Sequence, residues 1–325
     1  MDEFELIAQI TETLRKHSAP VDNKNHTTGL SLEIDSGDDA AAIGVKAGST
    51  LVWSIDTFTE GVHFRTRWVK PQDLGRRVIA ASAADLVAMG AAPRFALVSL
   101  ACPTDTPPEW VLELADGIGK QAQMLSMGVI GGDVSKASEL HITSSVLGEV
   151  PQGVKPVQRS GAKPGDVVAI HGALGLAAAG LAINELDLPI TEHSHLRNAY
   201  AYPSLDAHIG TKAAQAGATS MIDVSDGLIA DLAHIAKASN VAIDIDTTRF
   251  HLDADLVHAA SQLGLNAIEL ALTGGDDHAI VATFSAEASL PAGFEVVGSV
   301  RESTPGGRVL VDGVPYHNAG GYRHF

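Results

Sequence analysis

A chain of 325 residues with 39 acidic and 22 basic side chains, a formal net charge of −17, is ill suited to nucleic acid or to an anionic membrane surface, since both call for Lys/Arg patches. Its 45% hydrophobic content is enough for a large core, and its length favours two domains over one. One cysteine, Cys102, excludes an internal disulfide and fits a reducing compartment, and the acidic start lacks the basic and apolar regions of a secretory leader, so we expect a cytoplasmic protein without a membrane span.

Residues 4–16 read as an amphipathic helix with Phe4, Ile7, Ile10 and Leu14 on one stripe. A glycine turn follows that carries Asp35, Asp38 and Asp39. Turn chemistry alone accounts for Gly-Asp pairs of this kind. Residues 50–55 form a β-type run that stops at Asp56, and strand ends are where open α/β sheets gather their ligands. His63 lies soon after, with no metal-ligand spacing partner, so a polar surface histidine is its default reading. Pro71, Gly90 and Pro93 bracket a helix whose apolar stripe is Leu74, Val78, Leu86 and Met89. Asp85 falls on or beside that stripe and needs a partner, because an inward carboxylate is almost never buried unpaired.

Residues 95–101 are an apolar strand ending at Cys102, best read as a small buried hydrophobe. A helix over 110–127 leads to a strand ending in Gly131-Gly132-Asp133, whose glycines permit a close backbone approach to a ligand. An alternating strand over 140–147 closes the first half, and residues 151–156 look like a linker. In the second half a turn over 159–166 precedes a strand over 167–171 and a Gly/Ala-rich helix. His193 and His195 read as solvated loop histidines. Residues 220–224 form a strand running into a helix expected to start at Ser225 or Asp226, both good N-cap residues. Asp223 resists that bland account, since a carboxylate ending an apolar strand is costly without a cation. A second Gly-Gly-Asp, Gly274-Gly275-Asp276, leads into a strand over 279–284. Both halves thus mix strands, helices and aspartate-tipped turns, which implies two α/β (α+β) domains, residues 1–150 and 151–325.

Asp38, Asp39, Asp56, Asp85, Asp133, Asp223, Asp226 and Asp276 repel one another wherever they converge, and cations relieve that repulsion. Hard oxygen donors without a Cys/His set favour Mg²⁺, Ca²⁺ or Mn²⁺ over zinc. No Gly-x-x-x-x-Gly-Lys-Ser/Thr loop and no kinase His-Arg-Asp or Asp-Phe-Gly set is present. What remains is a metal-rich phosphoryl-transfer site of another architecture.

The ordered series Gly37-Asp38-Asp39-Ala40-Ala41, Ser54-Ile55-Asp56-Thr57 with Glu60-Gly61-Val62-His63-Phe64, Ser82 to Ala91, Gly131-Gly132-Asp133, Arg159 to Asp166, Ile222 to Leu228 and Thr273 to Asp277 closely resembles the thiamine-monophosphate kinase family. Its superfamily includes aminoimidazole ribonucleotide synthetase, selenophosphate synthetase and the hydrogenase maturation protein HypE. The resemblance covers nearly the whole chain and implies a two-domain PurM-like fold, dimeric through the first domain's sheet, that transfers a phosphoryl group from ATP to thiamine monophosphate with several Mg²⁺. It further implies that Asp39, Ser54, Asp56, Asp85, Asp133, Asp223 and Asp226 bind Mg²⁺, that Gly132, Asp133, Arg159 and Ser225 contact ATP, and that His63, Asp276 and Tyr322 face the substrate. This chain has Ile55 where the family usually has Thr, Asp276 where it usually has Glu, and Ala319-Gly320 where an aromatic often stands. The acceptor is a phosphate monoester, largely dianionic at pH 7, so it needs no general base and a direct in-line transfer suffices. Two other readings are a related ATP-dependent synthetase and a non-catalytic nucleotide- or metal-binding protein; selenophosphate synthetase is disfavoured by the missing reactive cysteine near the start.

Overall fold

The computed structural model describes residues 3–17, 29–36, 40–186, 193–302 and 306–316, so Asp39, Ala319, Gly320 and Tyr322 lie outside the described residues. The chain divides into two compact units, Met1–Leu86 with Ala91–Gly153 and Val87–Gly90 with Val154–Phe325. Each mixes helices with a sheet, as expected for the α/β (α+β) class.

The first unit holds α1 (Glu3–His17), β1 (Leu30–Ile34), β2 (Ala42–Val45), β3 (Thr50–Thr59), α2 (Pro71–Ala88), β4 (Ala92–Cys102), α3 (Pro108–Met124), β5 (Gly128–Lys136) and β6 (His141–Val150). Its four-stranded sheet runs β3-β6-β4-β5. Only β4 and β5 are parallel, and a parallel pair needs a crossover, which α3 supplies. The β1–β2 hairpin lays Leu32, Ala41 and Ile43 against Phe95, Ile130 and Leu147. On α2 the expected stripe is fully buried at Leu74, Val78 and Leu86. Three helices are tied at one carboxylate: Asp116 of α3 pairs with His17 of α1 at 2.7 Å, with Lys120 at 2.8 Å, and accepts a hydrogen bond from Gln72 of α2.

Two expected strand ends are not there. β3 runs on through Asp56 to Thr59, and β5 through Asp133 to Lys136. A ladder position costs a carboxylate little while the side chain keeps contact with water, and here Asp56 is half-buried and Asp133 exposed.

The second unit holds β7 (Val167–His171), α4 (Leu176–Glu185), α5 (Ser194–Ala201), α6 (Ile209–Gln215), β8 (Ser220–Asp223), α7 (Leu228–Ser239), β9 (Ala242–Ile245), α8 (Ala254–Leu263), α9 (Ala267–Thr273), β10 (Ile280–Phe284), β11 (Glu295–Arg301), β12 (Arg308–Val311) and β13 (Val314–Pro315). They build a seven-stranded sheet ordered β13-β12-β9-β11-β7-β10-β8, in which only β12 and β9 are parallel. Leu228, Leu232 and Ile235 of α7 bury against Ile170, Ile222, Ile243 and Val281 of that sheet. Asp223 thus stands at the last position of β8, paired in register with Ile280. Among the described residues no helix is long and apolar enough to cross a membrane.

Candidate active site

In the first unit the chemistry begins on β3. Side chains alternate between the faces of a strand, so Ser54 and Asp56 project to one side, and Trp53 and Ile55 to the other. Asp85, on the inward face of α2, finds its partner there: the Ser54 hydroxyl donates to Asp85 Oδ2 at 2.5 Å. Ile55, the residue that departs from the family pattern, is 65% exposed beside Trp53 at 69%, on the face away from Ser54. Whatever residue stands at position 55, only its backbone belongs to the carboxylate side.

Asp133 belongs to the other face. Register carries it across to Ser99 on β4, then to Thr143 on β6 and Thr57 on β3. Residues paired across a ladder share a face, so this row lies with Trp53 and Ile55, and Asp133 is not gathered with Ser54 and Asp56. Gly132 has a structural reason of its own, since a Cβ there would meet the Val98 carbonyl oxygen at 2.0 Å. The glycine lets β5 come close to β4.

His63 sits in a tight loop after β3. Its Nδ1 accepts the Thr59 backbone N–H at 2.9 Å, so the neutral ring carries its proton on Nε2. Glu60 holds the far side of that loop by accepting from the Thr66 hydroxyl at 2.8 Å. The guanidinium groups of Arg65 and Arg67 lie 5.2 Å and 5.1 Å from the Trp68 ring centre, a cationic pair that residue-by-residue reading of this stretch overlooked.

In the second unit two of the motif stretches interlock. Asp276 N–H donates to the Ser225 carbonyl at 2.9 Å, and His278 N–H to the Val224 carbonyl at 2.9 Å. Asp276 takes a left-handed conformation with φ of 64°. Next to it, Asp277 accepts from the backbone N–H groups of Gly175 and Ala177, the latter at 2.9 Å, and so caps α4 from outside. The His278 ring meets Asp223 in a buried pair, Nδ1 to Oδ2 at 3.1 Å.

The expected helix start at Ser225 or Asp226 is overturned. α7 begins at Leu228, and Gly227 before it has φ of 124°, a conformation side-chain-bearing residues rarely adopt. Gly227 stands at the cap position with no side chain to offer; the carboxylate that serves the loop before the helix comes from within the helix. Asp231 Oδ2 accepts the N–H groups of Ser225 at 3.0 Å, Asp226 at 3.2 Å and Gly227 at 3.1 Å. Burial, followed by the nearby carboxylates of Asp223 and Asp226, pushes the Asp231 carboxyl up to about 7 against the pull of its amide donors. The signal for Asp231 was available, because it lies three residues after Leu228 on the buried stripe, the same reasoning that picked out Asp85.

Arg159 is exposed on the segment beside β8, where the Gln158 carbonyl accepts from Met221 N–H at 3.1 Å. Ser239 Oγ fastens this segment by donating to the Arg159 carbonyl at 3.2 Å and accepting from Gly161 N–H at 3.1 Å. His193 and His195 bond Gln262 and Asp253 near the surface, away from these loops in the sequence and in their partners.

Among the described residues no three His, Cys, Asp or Glu side chains are already drawn together to hold a metal. In each unit the donor chemistry nonetheless fits hard divalent cations: hydroxyl and carboxylate oxygens at Ser54, Asp56 and Asp85 in one, and carboxylate oxygens at Asp223 and Asp226 in the other.

Residues 37–150 match the family model described as AIR synthase related protein, N-terminal domain. The thiamine-monophosphate kinase of Mycobacterium tuberculosis is 40% identical over 292 residues, 89% of this chain and 85% of that protein. The Bacillus subtilis thiamine-monophosphate kinase is 33% identical, covering 94% of this chain and 93% of its own. A solved structure described as AaThiL complexed with AMPPCP and TMP superimposes with a TM-score of 0.80 at 29% identity, covering 99% of this chain and 97% of that one. With that similarity running the length of both units, the chain belongs to the thiamine-monophosphate kinase family.

Proposed function

We propose that this kinase transfers the terminal phosphoryl group of ATP directly to the phosphate of thiamine monophosphate, giving thiamine diphosphate and ADP. The observation that supports this most is the interlock of the 224–227 and 275–278 loops, whose two backbone hydrogen bonds hold Ser225, Asp226 and Asp276 side by side. A relative solved with an ATP analogue and TMP agrees with that reading.

Asp56, Asp85 and Ser54 on the first unit, and Asp223 and Asp226 on the second, are the groups we assign to Mg²⁺, with Asp39 added by motif; Asp133, expected among them, lies on the other sheet face. Bound Mg²⁺ would offset the charge of the facing phosphates. The chain's own residues do the positioning. The Ser225 hydroxyl and the Arg159 guanidinium contact the nucleotide; Gly132 and Asp133 are added by the family resemblance alone, since the sheet register keeps Asp133 on the face away from Ser54 and Asp56. His63, whose Nδ1 is tied to Thr59, offers Nε2–H to the acceptor phosphate, and Asp276 and Tyr322 hold the remainder of the substrate. An oxygen of the monoester attacks the γ-phosphorus as its bond to the bridging oxygen of ADP breaks. The attacking dianion needs no proton removed, so no residue acts as a base and no phosphoenzyme forms.

We further propose a homodimer formed through the open face of the first unit's sheet. An apolar groove of about 980 Å³ there is lined by Trp53, Ile55, Leu97 and the α1 side chains Ile7, Ile10 and Leu14. An apolar groove with Trp53 and Ile55 exposed on its wall, in an otherwise acidic chain, suits a second copy.

Purified protein incubated with Mg²⁺, ATP and thiamine monophosphate is expected to yield thiamine diphosphate and ADP in equal amounts. ATP binding without thiamine diphosphate would contradict the reading.

A further inference from the structure

We infer that Asp231 is a positioning residue that fills the amide pocket of the 225–227 loop ahead of α7 with the protein's own carboxyl oxygen, so that nucleotide is met there by the Ser225 hydroxyl and not by those backbone N–H groups. The second half of this inference rests on the kinase reading above; the first does not.

Successive loop N–H groups that converge on one point make an inviting phosphate site. In the loop that leads into α7 those groups are already engaged. The N–H groups of Ser225, Asp226 and Gly227 converge on a single oxygen, Asp231 Oδ2, at 3.0 to 3.2 Å. Asp231 itself is 3% exposed, and its N–H donates to the Gly227 carbonyl at 3.0 Å, the first bond of the helix. The anchor is therefore rigid at both ends: the side chain reaches back to the loop that its own backbone starts from.

A phosphate entering this pocket would displace a buried carboxylate from three donors and leave it without compensation, a costly exchange. The backbone of Ser225 is closed from the other side as well, since its carbonyl accepts Asp276 N–H at 2.9 Å. With N–H and C=O both committed, the group this exposed residue can offer is its hydroxyl. Asp226 is held by the same carboxylate, which fixes the direction in which its own side chain leaves the loop. Asp231 thus acts through Ser225 and Asp226 and touches neither substrate.

Amide hydrogen exchange of the wild-type protein, read by NMR first without ligand and then with Mg²⁺ and AMPPCP, tests the anchor without any appeal to activity. We expect Ser225, Asp226 and Gly227 to be protected by roughly 100-fold or more in both states. Fast exchange in the unliganded protein, or protection that arises only with the nucleotide, would overturn the proposal. Asp231→Asn, in a protein that folds, is expected to raise KM for ATP about tenfold while KM for thiamine monophosphate stays within about twofold. An unchanged KM for ATP, or an equal rise for both substrates, would count against it. If that variant does not fold, the exchange data decide alone. A wild-type protein that made no thiamine diphosphate would remove the kinase reading while leaving the anchor to be judged by exchange.

Discussion

The Ser54 hydroxyl and the Asp85 carboxylate meet at 2.5 Å, joining a strand residue to a helix residue thirty-one positions away. This contact explains how α2 carries a carboxylate on its inward face while Leu74, Val78 and Leu86 beside it are fully buried. Ser54 holds the oxygen in place, and the half-buried position keeps it available for a cation. Asp85→Asn is expected to lower kcat/KM by about 100-fold, close to 3 kcal/mol, and Ser54→Ala by about tenfold. Steady-state kinetics with both substrates varied measures this; an Asp85→Asn enzyme within tenfold of wild type would rule out a metal-binding role.

Gly227 carries a φ of 124°, and a Cβ there would meet the Thr273 carbonyl oxygen at 2.5 Å. Backbone strain and collision act together, so Gly227→Ala is expected to cost about 3 kcal/mol in urea unfolding and to remove activity. A variant as stable as wild type would mean that the 224–227 loop is not held against Thr273 as described.

Burial alone would raise the Asp116 carboxyl, but hydrogen bonds from Lys120, His17 and Gln72 hold it down to about 2. A carboxyl lowered in the folded state stabilises above its unfolded value near 3.8, and that contribution is lost as pH falls through about 2. Asp116→Asn is therefore expected to lower stability by about 1 kcal/mol at pH 7, allowing for solvent screening, with the difference closing toward pH 2. Thermal melts of both proteins across that range check the sign. A gap that widened in acid would contradict it.

Trp53, Ile55 and Leu97 are 69%, 65% and 39% exposed on one sheet face. If two copies meet there, Trp53→Glu with Ile55→Glu places carboxylates in an apolar contact and should convert a wild-type dimer to monomer in sedimentation. A wild-type monomer, or a dimer unmoved by the double substitution, would place the interface elsewhere.

Most elements were legible because their signals are local. Pro71 and Gly90 bracket α2, the apolar stripe of α7 is periodic, and 167–171 is a strand with the bounds expected. What escaped depends on partners distant in the chain. That Asp85 needed a partner followed from its stripe, yet Ser54 as that partner did not, because only the fold brings β3 to α2. Asp56 and Asp133 were expected at strand ends because the apolar β-type runs give out there; they lie within strands, and neither is fully buried. Ser225 and Asp226 have good cap chemistry, but the cap comes from Asp231 and the chain turns at Gly227 first. Gly132 looked like room for a ligand and is also room for the Val98 carbonyl.

The central claim is a single, direct transfer between two phosphates that the chain's carboxylates and hydroxyls position, with no phosphorylated residue between them. Following the configuration at phosphorus, with ATP made chiral at its γ-position, tests this most directly. One in-line displacement inverts the centre, so inversion in the thiamine diphosphate product is the predicted result; retention would require two displacements and contradict the account.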